Sequence, residues 1–323
     1  MLKINGKLIE KILRPGLRLP WIKQWLMECV WSQERYDALE PMQYLNEGEA
    51  CVNKIEELIA STADRIYFEF LESNPAETNI GAALSQEENA IVVFDGMSVR
   101  EMPILISLAK KSGMAVKRLD YSFSAVPSET IEFIQQKIKC PKIGPSQLPG
   151  RKELTDRNIQ AVYLSSNTQS LNIDTNGRSL LVWSSFPDNT YADSGARFDK
   201  HFENICYQIE TAWMHSIQKI KGKKKIIITS DHGYAFLDSG LSFVRKNFEM
   251  RDLNGFFGNN RSREVVGHSL SFDSDDIFMA NGFAMIKGRV HTRSTGQAAN
   301  RLYKHGGMSL MECFTPWLEL KIE

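Results

Sequence analysis

KKKIIITSDHGYAF, Lys223 to Phe236, decides the fold. Ile226 to Thr229 is a run of β-branched residues with no charged interruption, the pattern of a strand buried on both faces, and such strands belong to parallel sheets. Parallel strands present their functional groups at the C-terminal end. This one ends on Asp231-His232-Gly233, two ligand-type side chains and a glycine, where a polar turn would be ordinary.

Two other apolar runs end on a carboxylate: NAIVVFDG reaches Asp95 and SLLVWSSFPD reaches Asp188. Around the first, residues 89–123 read as strand, turn, helix and strand. After the second, Phe198, Phe202, Ile205, Ile209, Trp213 and Ile217 mark one face of an amphipathic helix that leads into the strand at Ile226. The alternation is that of βαβ units with right-handed crossovers. Residues 1–87 read as a Trp-rich helical extension packed on a core domain of residues 88–323. Pro- and Gly-rich residues 139–158 read as an exposed insertion and residues 250–271 as loop. DIFMANGFAMIKGRV reads as two short strands, and GMSLMECFTPWLELKI as a helix followed by a closing strand.

The composition is globular, and 39 basic residues balance 39 acidic ones. No global field therefore points to DNA or an anionic membrane, which leaves only local basic groups at Lys221–Lys225, Arg261–Arg263 and Arg289–Lys304. Five scattered cysteines without a CxxC pair read as reduced thiols. No segment approaches the roughly 20 apolar residues of a membrane span, and no secretory leader is evident. A cytoplasmic protein without a membrane partner is expected, with a homodimer left open.

Any one of Asp95, Asp188 and Asp231 alone is an ordinary cap or turn residue. Together, above the ends of neighbouring parallel strands, they would repel one another, and a divalent cation would resolve the conflict. Oxygen and imidazole donors without cysteine suit Zn²⁺, Mn²⁺ or Mg²⁺, the histidine favouring the first two. Two such ions could hold the attacking and leaving oxygens of a phosphoryl displacement. His305, in YKHGGMSLMECF, is the best further ligand, because two glycines let the chain turn closely about it.

These residues, in this order, resemble the alkaline phosphatase superfamily. IVVFDGMSVREMP, YSFSAVPSET, IIITSDHGYAF and KHGGMSLMECFTPWLEL look most like a PglZ domain, over roughly residues 88–320. The resemblance implies an α/β three-layer sandwich with a mostly parallel central sheet and helices on both faces. It implies a metal-dependent hydrolase of phosphoesters, inclined to phosphodiesters such as nucleotides or nucleic acid, working with other proteins in bacterial antiphage defence. Carried over by position, Asp95, Asp231 and His232 would hold one metal. In Pro127-Ser128-Glu129-Thr130, Thr130 would be the nucleophile with Ser128 in reserve, although the same residues read as a capped helix start. Asp188 and His305 would hold a second metal, with Asp193 as substitute, because Ala192 stands where the resemblance implies a histidine. Arg100, Arg293 or Lys304 could reach a phosphate oxygen. The competing expectation is a non-catalytic scaffold that binds metal and phosphate.

Overall fold

The computed structural model describes residues 4–322 apart from 5, 63–64, 74–75, 87, 172, 174–176, 192–197, 221–222, 224, 238–240, 244, 266–273 and 293–302. The chain opens with helices α1 (Gly6–Leu13), α2 (Leu19–Trp25), α3 (Gln33–Ala38), α4 (Pro41–Thr62), α5 (Arg65–Glu72) and α6 (Ile80–Leu84). There follow β1 (Asn89–Asp95), α7 (Met102–Lys111), β2 (Met114–Phe123), α8 (Thr130–Phe133), α9 (Lys152–Thr155), β3 (Ile159–Leu164), β4 (Ser179–Pro187), α10 (Asp188–Tyr191), α11 (Phe198–His215) and β5 (Lys225–Ser230). The remainder holds β6 (Ala235–Phe236), α12 (Asn247–Phe257), β7 (Ser262–Glu264), β8 (Ile277–Ala280), β9 (Phe283–Ile286), β10 (Tyr303–Lys304), α13 (Leu310–Cys313) and β11 (Phe314–Ile322).

Six strands form the central sheet in the order β2-β11-β5-β1-β4-β3. β5, β1, β4 and β3 pair in parallel. β11 is antiparallel to both its neighbours, so β2 runs with the other four and one strand alone is reversed. Period-two alternation divides each central strand between two cores. Ala90, Val92 and Phe94 face one side with Ile226, Ile228, Val182, α7 and α11. Ile91 and Val93 face the other with Ile227, Leu181, Trp183, α6 and α8. Helices on both faces of a mostly parallel sheet make this the three-layer α/β architecture expected from the sequence. Burying each of these aliphatic side chains is worth about 1.5–3 kcal/mol, which holds the strand ends against the cost of burying acidic groups there.

α11 buries Phe202, Ile205, Ile209 and Trp213, the face its periodicity marked. α1–α5 share a core with the α13–β11 segment: Ile22, Leu26, Val52 and Tyr67 cluster with Met308, Leu310, Met311 and Phe314. Buried arginine–glutamate contacts reinforce this. Arg100 and Arg289 both pair with Glu49 of α4, Arg289 also with Glu56, and Arg261 with Glu312. No helix among the described residues is long and apolar enough to cross a membrane.

Two expectations fail and one needs refinement. Residues 139–158 are mostly exposed, as expected, but Cys140, Leu148 and Leu154 anchor them against the sheet. Residues 250–271 do not begin as loop, because α12 runs through Phe257 and buries Leu253 and Phe257. Arg261 and Arg289 are buried, so neither contributes to a basic surface patch.

Candidate metal centre

The sheet explains how residues far apart in sequence meet. Phe94 lies level with Ser230 on one side and with Ser184 on the other, so Asp95 and Asp231 leave their strands at the same height. A register shift after Phe94 sets Asp95 opposite Pro187, and Asp188 follows. Three adjacent parallel strands thus deliver three carboxylates to one edge. Asp231 and His232 are fully buried, and Asp95 is 8% exposed.

The carboxylates are held by fixed donors. The backbone N–H of Gly96 donates to Asp231 Oδ1 at 3.0 Å, and Trp183 Nε1 donates to Asp95 Oδ2 at 3.2 Å. Thr130, the first residue of α8, donates its hydroxyl to Asp231 Oδ2 at 2.7 Å. The same Oγ1 lies 3.4 Å from Asp95 Oδ1 and 3.3 Å from His232 Nε2. His232 Nδ1 sits 2.9 Å from the Gly233 carbonyl. A carbonyl only accepts, so Nδ1 carries the proton and the Nε2 lone pair faces the cluster. Nε2 is 3.5 Å from Asp231 and 3.7 Å from Asp95.

Gly233 is required by close approach. Its N–H donates to the Glu312 carbonyl at 3.0 Å, and a Cβ there would lie 2.1 Å from the Met311 carbonyl oxygen. The turn after His232 therefore docks directly on α13.

His305 enters from the loop between β10 and α13. Its Nδ1 is 3.3 Å from Glu129 Oε2, its Nε2 is 3.8 Å from Asp188 Oδ1, and its ring stacks on that of His232. Ser262 donates to the other Glu129 oxygen at 3.0 Å. Ser128, the reserve nucleophile, is occupied elsewhere, since its hydroxyl accepts from Gly306 N–H and donates to the Gly307 carbonyl, both at 2.9 Å. It ties the His305 loop to the Thr130 loop.

Burial, then the charges of Asp231 and Asp188, pushes the Asp95 carboxyl well above its usual range. Burial acts against the His305 cation, but the bond and charge of Glu129, with Asp188 and Asp95, outweigh it and raise this imidazole to about 10. Glu129 is held below the usual range because its bonds to His305 and Ser262 overcome its burial. The cluster therefore stores protons where a cation would place positive charge.

Among the described residues two groups have ligand atoms within 4.8 Å of one another: Asp95, Asp231 and His232, and Asp188, His232 and His305. The donor set fits a divalent cation, two buried carboxylates and an imidazole lone pair converging with no neutralising lysine or arginine in contact among the described residues. Both groups use His232, whose one available nitrogen would serve one cation only. The group with two buried carboxylates would have the stronger claim to it, which would leave Asp188 and His305 for the other. Asp193 lies outside the described residues.

Arg100 does not reach this site. It is fully buried, and its guanidinium contacts Glu49, Ser98 Oγ and the Tyr234 carbonyl. Lys304 donates to the Asn259 carbonyl, and Arg293 lies outside the described residues. The sequence reading missed Glu129 and Trp183 as supports, since an acid at a helix start and a tryptophan in a strand both have commoner explanations.

No protein-family model matches the chain, and no curated protein matches it. Among solved structures the chain is similar to phosphonoacetate hydrolase from Sinorhizobium meliloti 1021. The complex with phosphonoacetate aligns at 10% identity and a TM-score of 0.39, and the complex with phosphonoformate at 11% and 0.40. Each alignment covers 71% of this chain and 89% of the other.

Proposed function

We propose that the protein is a metal-dependent phosphoester hydrolase with Thr130 as nucleophile. The observation that carries this reading is the Thr130 hydroxyl, within 3.4 Å of Asp95, Asp231 and His232 together at the C-terminal edge of a parallel sheet. Asp95, Asp231 and His232 would hold the first cation, and Asp188 and His305, with Asp193, a second. Zinc suits the imidazoles best, then manganese. When bound, a divalent cation lowers the pKa of the threonine hydroxyl and offsets charge on the phosphoryl oxygens.

The chain's own groups do the rest. Asp231 accepts the hydrogen bond of Thr130 and is placed to take its proton. Gly96 and Trp183 fix the two carboxylates, so little reorganisation accompanies charge development. The threonine oxygen forms a bond to phosphorus as the ester oxygen departs and takes up a proton from solvent, and water then hydrolyses the threonine-linked phosphoester, releasing the phosphoryl product and restoring the hydroxyl.

A phosphodiester is the favoured substrate class. It carries one negative charge where a monoester carries nearly two, and Arg100, Arg261 and Arg289 are committed to buried carboxylates. Nucleotides and oligonucleotides come first among diesters on the resemblance of motifs, which also supports a defence role. The cysteines Cys29, Cys51, Cys140, Cys206 and Cys313 are all free, which supports a reducing, cytoplasmic setting.

The test is hydrolysis of bis-p-nitrophenyl phosphate with added Zn²⁺ or Mn²⁺. Thr130→Ala should lower kcat at least about a thousand-fold with unchanged metal content, while Thr130→Ser retains measurable turnover. An alanine variant as active as wild type would overturn the assignment.

A further inference from the structure

The helical segment that begins at Thr130 ends at a second polar feature. α8 continues into a π-helical turn, Ile134–Ile138, and Lys139 closes it in the left-handed conformation at φ 66°. At roughly 1.5 Å per residue, Lys137 lies about 10 Å along this axis from Thr130. A pocket of about 240 Å³ opens here, and Lys137, Lys139, Gln136, Asn79, Asn281 and Ser124 supply its polar lining.

The charge of this pocket is one-sided. No aspartate or glutamate among the described residues lines it, and neither lysine forms an ion pair with a described residue. Residues 74 and 75, next to the lining residue Ser73, are Asn and Pro and carry no charge. Burial first, then the neighbouring Lys139, holds the Lys137 ammonium below its usual pKa. A half-buried ammonium without a counter-charge costs free energy that an oxyanion would offset. Gln136 is committed to the Val126 carbonyl and to Glu132 Oε2, which leaves the lysines, Asn79, Asn281 and Ser124 to face a ligand.

The pocket also touches the loop that presents the nucleophile. Gln136 and Asn281 donate to the Val126 carbonyl at 3.1 and 3.4 Å, and Val126 itself lines the pocket. Four residues later the chain reaches Thr130.

We propose that this pocket is a second ligand site, separate from the metal centre and independent of the hydrolase reading, which binds a phosphate group, free or carried on a small sugar phosphate, behind the loop that holds Thr130. The volume exceeds what one phosphate fills and leaves room for a sugar.

Metal-free protein titrated with inorganic phosphate and with ribose 5-phosphate, followed by calorimetry, tests it. Lys137→Gln and Lys139→Gln should each weaken binding about ten-fold or more, and Asp231→Asn, which alters the metal centre, should leave it unchanged. Tighter binding of ribose 5-phosphate assigns the sugar phosphate, and equal binding assigns free phosphate. In wild-type protein, phosphate should also protect Lys137 and Lys139, but not the exposed Lys54, from reductive methylation, a readout that needs no variant to fold. Absence of binding, binding indifferent to both lysines, binding lost in Asp231→Asn, or absence of protection would each overturn the proposal.

Discussion

The imidazoles of His232 and His305 stack face to face, with centroids 4.0 Å apart and planes 16° from parallel. The contact joins a buried half of the centre, with Asp95 and Asp231, to a more open half, with Asp188 and Glu129. Substitutions on either side should therefore be read at both.

Asp95→Asn separates fold stability from metal binding. An asparagine oxygen can still accept from Trp183, while the buried charge and its repulsion by Asp231 and Asp188 are gone. Because the folded pKa of Asp95 is raised, its penalty is absent below the unfolded value of about 4 and grows as pH rises towards the folded value. Metal-free Asp95→Asn should thus be more stable than wild type by about 1–2 kcal/mol, with a larger difference at pH 8 than at pH 5. Its zinc affinity should fall at least about a hundred-fold. Thermal melts of the metal-free proteins decide, and a variant less stable than wild type would contradict this account of Asp95.

Metal binding should expel protons. Asp95 and His305 both titrate above their usual values, His305 at about 10, so at neutral pH a cation displaces a proton from His305, and at lower pH from Asp95 as well. Apparent affinity should rise with pH, up to about ten-fold per unit for each proton released. Glu129→Gln removes the bond and charge that sustain the His305 proton, so it should reduce the number released. Calorimetry in two buffers of different ionisation enthalpy counts them, and heats independent of buffer would exclude the mechanism.

Gly233→Ala should damage fold and centre together. Its Cβ meets the Met311 carbonyl, a backbone atom that cannot swing aside, so about 1–3 kcal/mol of stability should be lost and His232 displaced. Denaturant unfolding and zinc titration of the same sample measure both, and a neutral substitution would show that the turn does not depend on this contact.

Arg289→Met leaves Glu56 without its cation in the protein interior. Loss of about 3–5 kcal/mol is expected for a broken buried pair, with at least half recovered by the double variant Arg289→Met/Glu56→Gln. If the double variant is no better than the single, the loss reflects packing and not the stranded carboxylate.

Much of this arrangement was legible in the sequence because it depends on local rules. β1 and β5 are unbroken apolar runs that end on acids, and α11 repeats its apolar residues at helical spacing. β3 was not legible: as an edge strand it is only half-buried, and Gln160 interrupts its pattern. α12 buries only Leu253 and Phe257, so its periodicity is too weak to separate it from loop. In the centre, Asp95, Asp231 and His232 stood out by their position at strand ends. Arg100 misled, because its partner Glu49 lies 51 residues earlier and no local pattern announces the contact. Glu129 and Ser128 acquire their roles only when the His305 loop folds over them.

The reversed strand has a consequence for synthesis. β11 is the last of the six to be translated, yet it lies between β2 and β5. Until residue 322 has left the ribosome, the strand that carries Asp231 and His232 has an open edge, and β2 has no neighbour in the sheet. The nascent chain cannot close its sheet progressively from the first strand, so the centre is assembled late, in one long-range step. Slow, chaperone-sensitive folding is the expected companion of such topology. It also ensures that no partly made chain exposes a finished site.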